Sequence, residues 1–304
     1  MADTTYTQCQ YVSSFGIATS MHQSPIMTKN GAHYSFQFEN EYGSTIYVRI
    51  TDIDAFFTQV SNKFKQPFIL VTGDMDTTVP DDIQKWKEYC DHPMLLSWYA
   101  QNVSKKNAHP KLKHSPIGLD YHTLHLSGQS HDWGEQMSPF AQEQQLLKCK
   151  QEMKPITQTN HKKAVTNFHL STYGYPLRRQ QYREPILKEC QTKDCVIWLP
   201  KQKRIDFWKS CNSCAFVICP FGNGLDTHRT WEVLCLGRIP IIPKSELNVL
   251  FEGLPVVEME DTDWKHLSSD FLTTKYKEIV EKWQSYNWNK LKLSFWVNKI
   301  KNNE

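Results

Sequence analysis

Four features are missing from this 304-residue sequence, and each removes a class of function. No apolar run is long enough to span a bilayer and no signal peptide is recognisable, so a soluble, cytoplasmic protein without a membrane span is expected. No basic stripe exists either. With 35 Lys and Arg against 32 Asp and Glu, the net charge is only +3, which gives no electrostatic case for a nucleic-acid partner. No G-x-G-x-x-G follows an early strand with an acidic residue beyond it, which argues against a nucleotide-dependent oxidoreductase. Paired cysteine motifs are absent as well. The nine cysteines are odd in number and irregular in spacing, and Cys211-x-x-Cys214 has no second half. Reduced, buried thiols are expected rather than a disulfide framework or a metal site.

What is present is an alternation of strands and helices, the pattern of a parallel α/β sheet. In the first half, strands are expected at Ile46 to Ile50, Phe68 to Thr72, Leu95 to Tyr99 and Leu112 to Leu119. Helices are expected at Asp52 to Val60, Pro80 to Cys90, and from Ser138-Pro139 to Met153. Residues 1 to about 45 are polar and read as loops and short strands. Lys154 to Lys163 is polar, contains a proline, and reads as a linker. A second alternation follows. Strands are expected at Ala164 to Leu170, Cys195 to Leu199, Phe216 to Pro220, Ile239 to Ile242 and Leu254 to Glu258. Helices are expected at Leu177 to Cys190, Asp206 to Cys211, Thr227 to Leu236, Thr274 to Trp283 and Asn287 to Ile300. The division implied is residues 1–155, 156–285, and a C-terminal helix at 286–304 that packs back on the first half.

The stretch Phe216 to Lys244 (FVICPFGNGLDTHRTWEVLCLGRIPIIPK) carries the strongest chemical signal. A strand runs into a turn with Gly222 and Gly224, Asp226 reads as an N-cap, and Gly237 closes the helix. The helix N-terminus offers bare N–H groups and a positive dipole end. Arg229 adds a cation suited to phosphate, and Glu232 an acceptor suited to ribose hydroxyls. A nucleotide diphosphate fits this set. The bland reading of Arg229 and Glu232 is an ordinary i,i+3 surface pair.

The string GNGLDTHRTWEVLCLGRIPII resembles the C-terminal motif of the exostosin-type glycosyltransferases, glycosyltransferase family 47 and its relatives in algae and large algal viruses. The similarity covers roughly Cys195 to Trp264. It rests on Gly222, Asn223, Gly224, Asp226, Arg229, Glu232, Gly237, Ile239 and Pro240. The resemblance implies a GT-B fold of two Rossmann-like, doubly wound domains facing a cleft. It implies transfer of one sugar, with inversion, from a nucleotide diphosphate donor to a glycan or glycoprotein acceptor. A UDP-sugar is the expected donor, UDP-xylose among the candidates, and neither a cofactor nor a metal is required. The membrane anchor common in animal and plant relatives has no counterpart here.

Ligands in such sheets lie outside the carboxyl ends of the strands. After Phe68 to Thr72 come Asp74 and Asp76, either of which suits a general base toward an acceptor hydroxyl. One of them could instead cap the following helix. Asp74-Met75-Asp76 is also a literal D-x-D, the metal signature of the GT-A transferases. The strand Ala164 to Leu170 ends in His169-Leu170-Ser171-Thr172, followed by Arg178, Arg179 and Arg183. Arg178 or Arg179 is the expected partner of Arg229 on the diphosphate. The loop after Trp198 suits the nucleobase. Gly118 to His122 and Ser130 to Gly134 rank low, as acceptor-side loops. Asn102-Val103-Ser104 matches a glycosylation sequon with no secretory signal to support it. The other readings are a metal-dependent transferase built on the D-x-D and a sugar- or nucleotide-binding module without catalysis.

Overall fold

A computed structural model of the chain describes residues 5–21, 44–170 and 176–304, without the side chains of residue 63 and residues 176–180. Two separate parallel sheets form a mixed α/β structure, as the alternation implies. The first contains β1 (Ser44–Arg49), β2 (Phe68–Gly73), β3 (Leu95–Ala100) and β4 (Leu112–His114), in that spatial order. The second contains β5 (Asn160–Thr166), β6 (Val196–Trp198), β7 (Cys214–Ile218), β8 (Ile239–Pro243) and β9 (Val257–Met259), ordered β6-β5-β7-β8-β9.

The helices are α1 (Ser14–Ser20), α2 (Ile53–Gln59), α3 (Trp86–Cys90), α4 (His122–Leu126), α5 (Pro139–Gln151), α6 (Pro176–Cys190), α7 (Arg204–Ser210), α8 (His228–Cys235), α9 (Ser269–Glu281) and α10 (Leu293–Lys301). The Ser138 hydroxyl caps α5 by accepting from Ala141 N, with Pro139 at the first helical position. Gly237 takes φ 69°, the left-handed geometry that ends α8.

The two sheets solve burial differently. The second reverses direction between β5 and β7, so its crossovers cover both faces, as expected of a doubly wound sheet. The first does not reverse. Right-handed crossovers then put α2 and α3 on one face. Ile46, Val48, Phe68, Leu70 and Trp98 pack with them. The alternate residues Tyr47, Ile69, Val71 and Tyr99 point the other way, into a core shared with α8, α10 and Val165, Val217 and Ile242 of the second sheet. The strand period of two thus supplies each strand with two apolar faces.

Several boundaries differ from the sequence reading. The helix expected from Pro80 begins only at Trp86. Val79 is held in a parallel bridge to Val103, and Asp82 accepts from Thr78 N at 2.7 Å, which keeps 78–85 in turns. β5 starts at Asn160, inside the expected linker, and its exposed first half explains the polar pattern there. β4 stops at His114, and β9 begins at Val257 rather than Leu254. The C-terminal helix is broken at Lys292, which is extended, leaving a 3-10 turn at Trp288–Leu291 before α10. The N-terminal stretch contains α1, while residues 22–43 lie outside the described residues.

The termini meet. Val12 N donates to Leu291 O at 2.9 Å, Leu293 N to Gln10 O at 2.8 Å, and Tyr99 OH to Glu304 O at 2.6 Å. All nine cysteines are buried with free thiols. Among the described residues, no helix is long and apolar enough to cross a membrane.

Candidate functional site

In the second sheet the strand order reverses between β5 and β7, so the crevice beyond their carboxyl ends is the topological switch point of an open α/β sheet. The glycine turn and Arg229 meet there, together with Asn167, which the sequence did not single out. The glycine turn follows β7 and closes on itself, with Gly222 N donating to Gly224 O at 3.0 Å. Asn167, just past β5, accepts a short hydrogen bond from Arg229 Nη1. The Arg229 guanidinium also lies 4.0 Å over the Phe207 ring, which fixes its plane.

Glu232, one turn along α8, is only 6% exposed. It makes no ion pair with Arg229, and no hydrogen bond among the described residues engages its carboxylate. The i,i+3 surface pair is therefore not formed. Arg183 reaches the same turn, its Nε donating to Phe221 O at 2.7 Å and its Nη1 to His169 O at 2.9 Å. The side chains of Arg178 and Arg179, and residues Ser171 and Thr172, lie outside the described residues.

Asp226 does something other than cap. The N-cap of α8 is Thr227, without a side-chain cap bond. Asp226 is buried and spans the two halves. Its Oδ2 accepts from Ile117 N at 2.8 Å, its Oδ1 from Trp231 Nε1 at 2.8 Å, and its N–H donates to Asn102 Oδ1 at 2.8 Å. Burial pushes its carboxyl up to about 6, against those hydrogen bonds. With both oxygens engaged, this carboxylate is a strut between the halves. Asn102 is fully buried and also donates to Met75 O at 3.2 Å, so the sequon amide is not accessible for glycosylation. A Cβ on Gly224 would stand 2.9 Å from the Asn102 amide, so the turn needs glycine where it crosses to the first half.

The two first-half carboxylates face different surroundings. Asp74 sits at φ 67°, its N–H donating to Gln101 Oε1 at 3.0 Å, and its Oδ2 lies 3.0 Å from Arg49 Nε. Burial raises its pKa, while Arg49 and His122 oppose the rise. Asp76 instead lines a cleft of about 510 Å³ with Asp54, Thr51, Asp82 and, from the glycine turn, Asn223. Neither residue caps α3, whose N-cap is Lys85. The two carboxylates of the D-x-D thus have different neighbours, Arg49 for Asp74 and the cleft for Asp76.

One constellation escaped the sequence reading. The loop after β4 and the start of α4 bring Asp120 and His122 against His228, the first residue of α8. Asp120 Oδ1 lies 3.3 Å from His122 Nδ1, and Asp120 Oδ2 lies 3.9 Å from His228 Nε2. Thr123 donates to Asp120 from its N at 2.9 Å and its Oγ1 at 2.8 Å. Burial disfavours ionisation of Asp120, yet His228, His122 and the Thr123 bonds hold its pKa down at about 2. Burial lowers that of His122. Arg204 pins the loop by donating to Asp120 O at 2.5 Å and to Gln142 Oε1 at 2.6 Å. The available signal was Asp-x-His directly after a strand, together with a histidine opening a helix. The 106-residue separation hid the link.

Trp198 closes β6, its indole N–H buried without a hydrogen-bond partner among the described residues, and its ring packs edge-on to Phe168 at 5.1 Å. No family model and no curated protein matches this chain.

Proposed function

We propose that the chain is an inverting glycosyltransferase of GT-B, exostosin-like type. It moves one sugar from a nucleotide diphosphate donor, a UDP-sugar, to a hydroxyl of a glycan acceptor. The observation that carries the reading is the convergence of Arg229, Asn167 and the Gly222–Gly224 turn on the β5/β7 switch point, with the Asp76 cleft opening beside Asn223. In this reading Arg229 and the N–H groups opening α8 hold the diphosphate. Glu232 accepts from ribose hydroxyls. Arg183, fixed against the turn by Phe221 O and His169 O, is a further candidate for the second cation beside Arg178 or Arg179.

Asp76 is assigned as general base because it lines the cleft, whereas Asp74 is held by Arg49. The acceptor oxygen bonds to the anomeric carbon as its proton passes to Asp76. The bond from that carbon to the diphosphate oxygen breaks, and the nucleoside diphosphate leaves with the electron pair. The cations stabilise the charge that develops on it. Since Arg and backbone donors suffice for that charge, the diphosphate itself needs no metal.

The test is a thermal-shift series with UDP- and GDP-sugars, because a ligand that binds only the folded state raises the apparent Tm by mass action. A shift with UDP-sugars that persists in EDTA and is lost in Arg229→Ala is expected. Arg229→Lys should not restore it fully, since the planar fork is lost. No shift with any nucleotide would refute the reading.

A further inference from the structure

We propose that Asp120, His122 and His228 form a binding site for a divalent first-row transition ion that ties α8 to the first half of the chain. The donor atoms of the three residues lie within 4.8 Å of one another, and they come from two distant segments. Donors bonded to one ion at about 2.0–2.2 Å stand about 3.0–3.5 Å apart. Asp120 Oδ1 and His122 Nδ1, at 3.3 Å, already satisfy that spacing, while His228 Nε2 stands 3.9 Å from the other carboxylate oxygen, Oδ2, and must close in by side-chain rotation.

Hydrogen bonding argues that these atoms do not satisfy one another. His228 Nδ1 lies 2.8 Å from Gly118 O. A carbonyl oxygen only accepts, so Nδ1 carries a proton, and Nε2 is the ring nitrogen on the side of Asp120. At 3.9 Å there is no hydrogen bond between them. His122 Nδ1 is buried and likewise has no hydrogen-bond partner among the described residues, despite its proximity to Asp120. Two ring nitrogens thus face one carboxylate with no hydrogen bond joining either to it, an arrangement a cation between them would complete.

The surroundings fit as well. Metal-bound histidines usually give their other N–H to a backbone carbonyl, as His228 does to Gly118, and metal-bound carboxylates are hydrogen-bonded in turn, as Asp120 is by Thr123. His122 and His228 keep side-chain exposures of 26% and 21%, while His122 Nδ1 itself and Asp120 are buried. Two imidazoles with one carboxylate favour zinc, cobalt, iron or nickel over the oxygen-seeking magnesium and calcium. The consequence concerns organisation: one ion would join the β4–α4 loop to the residue preceding Arg229.

The experiment uses the full chain, stripped with chelator and titrated with Co2+ and Zn2+ without any nucleotide, so its outcome is independent of the donor-binding result. Uptake of one ion per chain is expected, with visible ligand-field bands for Co2+ and a Tm increase with Zn2+. His122→Ala and His228→Ala, checked for folding by circular dichroism, should each weaken uptake at least about tenfold. If one variant fails to fold, the other and the wild-type stoichiometry still decide. No stoichiometric uptake by the wild type would overturn the proposal. So would uptake unchanged in a folded variant, or near-ultraviolet thiolate charge transfer, which would put the ion on cysteine.

Discussion

Replacing Asn102 tests how firmly the two halves are joined. Its side chain is fully buried at φ 53°, accepts from Asp226 N at 2.8 Å and donates to Met75 O at 3.2 Å. In Asn102→Ala both partners lose their bond inside the structure. A stranded buried group costs about 1–3 kcal/mol, and the left-handed backbone costs alanine about 1 kcal/mol more. The expected loss is about 4 kcal/mol, a large share of the stability of an ordinary domain. Asn102→Gly strands the same groups without the backbone penalty, so it should be about 1 kcal/mol more stable than the alanine variant. Urea unfolding followed by far-ultraviolet circular dichroism, compared at equal m, separates the three proteins. A loss below about 1 kcal/mol in the alanine variant, or equal midpoints for alanine and glycine, would refute the account.

Gly224→Ala should destabilise the wild type by displacing the Asn102 amide, 2.9 Å from the added methyl, yet be close to neutral in an Asn102→Gly background; a double-mutant cycle reads this coupling. Asp76→Asn should lower kcat by about 10²–10⁴ with donor affinity retained. Asp74→Asn should act mainly on stability by releasing Arg49, and the reverse pattern in turnover assays would exchange the two roles. His114 lines a second cavity, of about 540 Å³, with Lys106, Lys113, Lys290 and Lys299. Burial, and after it Lys106 and Lys299, lowers its pKa to about 4. The unfolded chain takes up this proton near pH 6.5 and the folded one only near 4, so stability falls as pH drops through that window. The loss amounts to at most about 3 kcal/mol. His114→Gln should flatten that part of a stability–pH curve, and an unchanged slope would assign it elsewhere.

The local chemistry of the chain was readable because it is set by residues close in sequence. β2 and β7 announce themselves as apolar runs, α5 by Ser138 and Pro139, and the end of α8 by Gly237, since propensity, capping and backbone freedom act over a few residues. The turn at Gly222 and Gly224, with Arg229 on the following helix, was visible for the same reason. Where long-range contacts compete with local preference, the reading went astray. Val79, bridged to Val103, delays the helix expected at Pro80, and β5 recruits residues that look like a linker. Asp226 looked like a cap from its neighbours alone. Its partners Ile117 and Asn102 lie more than a hundred residues away, and only the packing of one sheet against the other turns it into a strut. The same holds for Asp120, His122 and His228. Each is an unremarkable polar residue in its own segment, and tertiary structure alone places their donor atoms within 4.8 Å of one another. The sequence by itself determined most of the strands and helices and the glycine turn between β7 and α8, because these follow from neighbouring residues. The tertiary structure decided which distant polar groups must satisfy one another, because a buried donor or acceptor takes whatever partner the packing brings within reach.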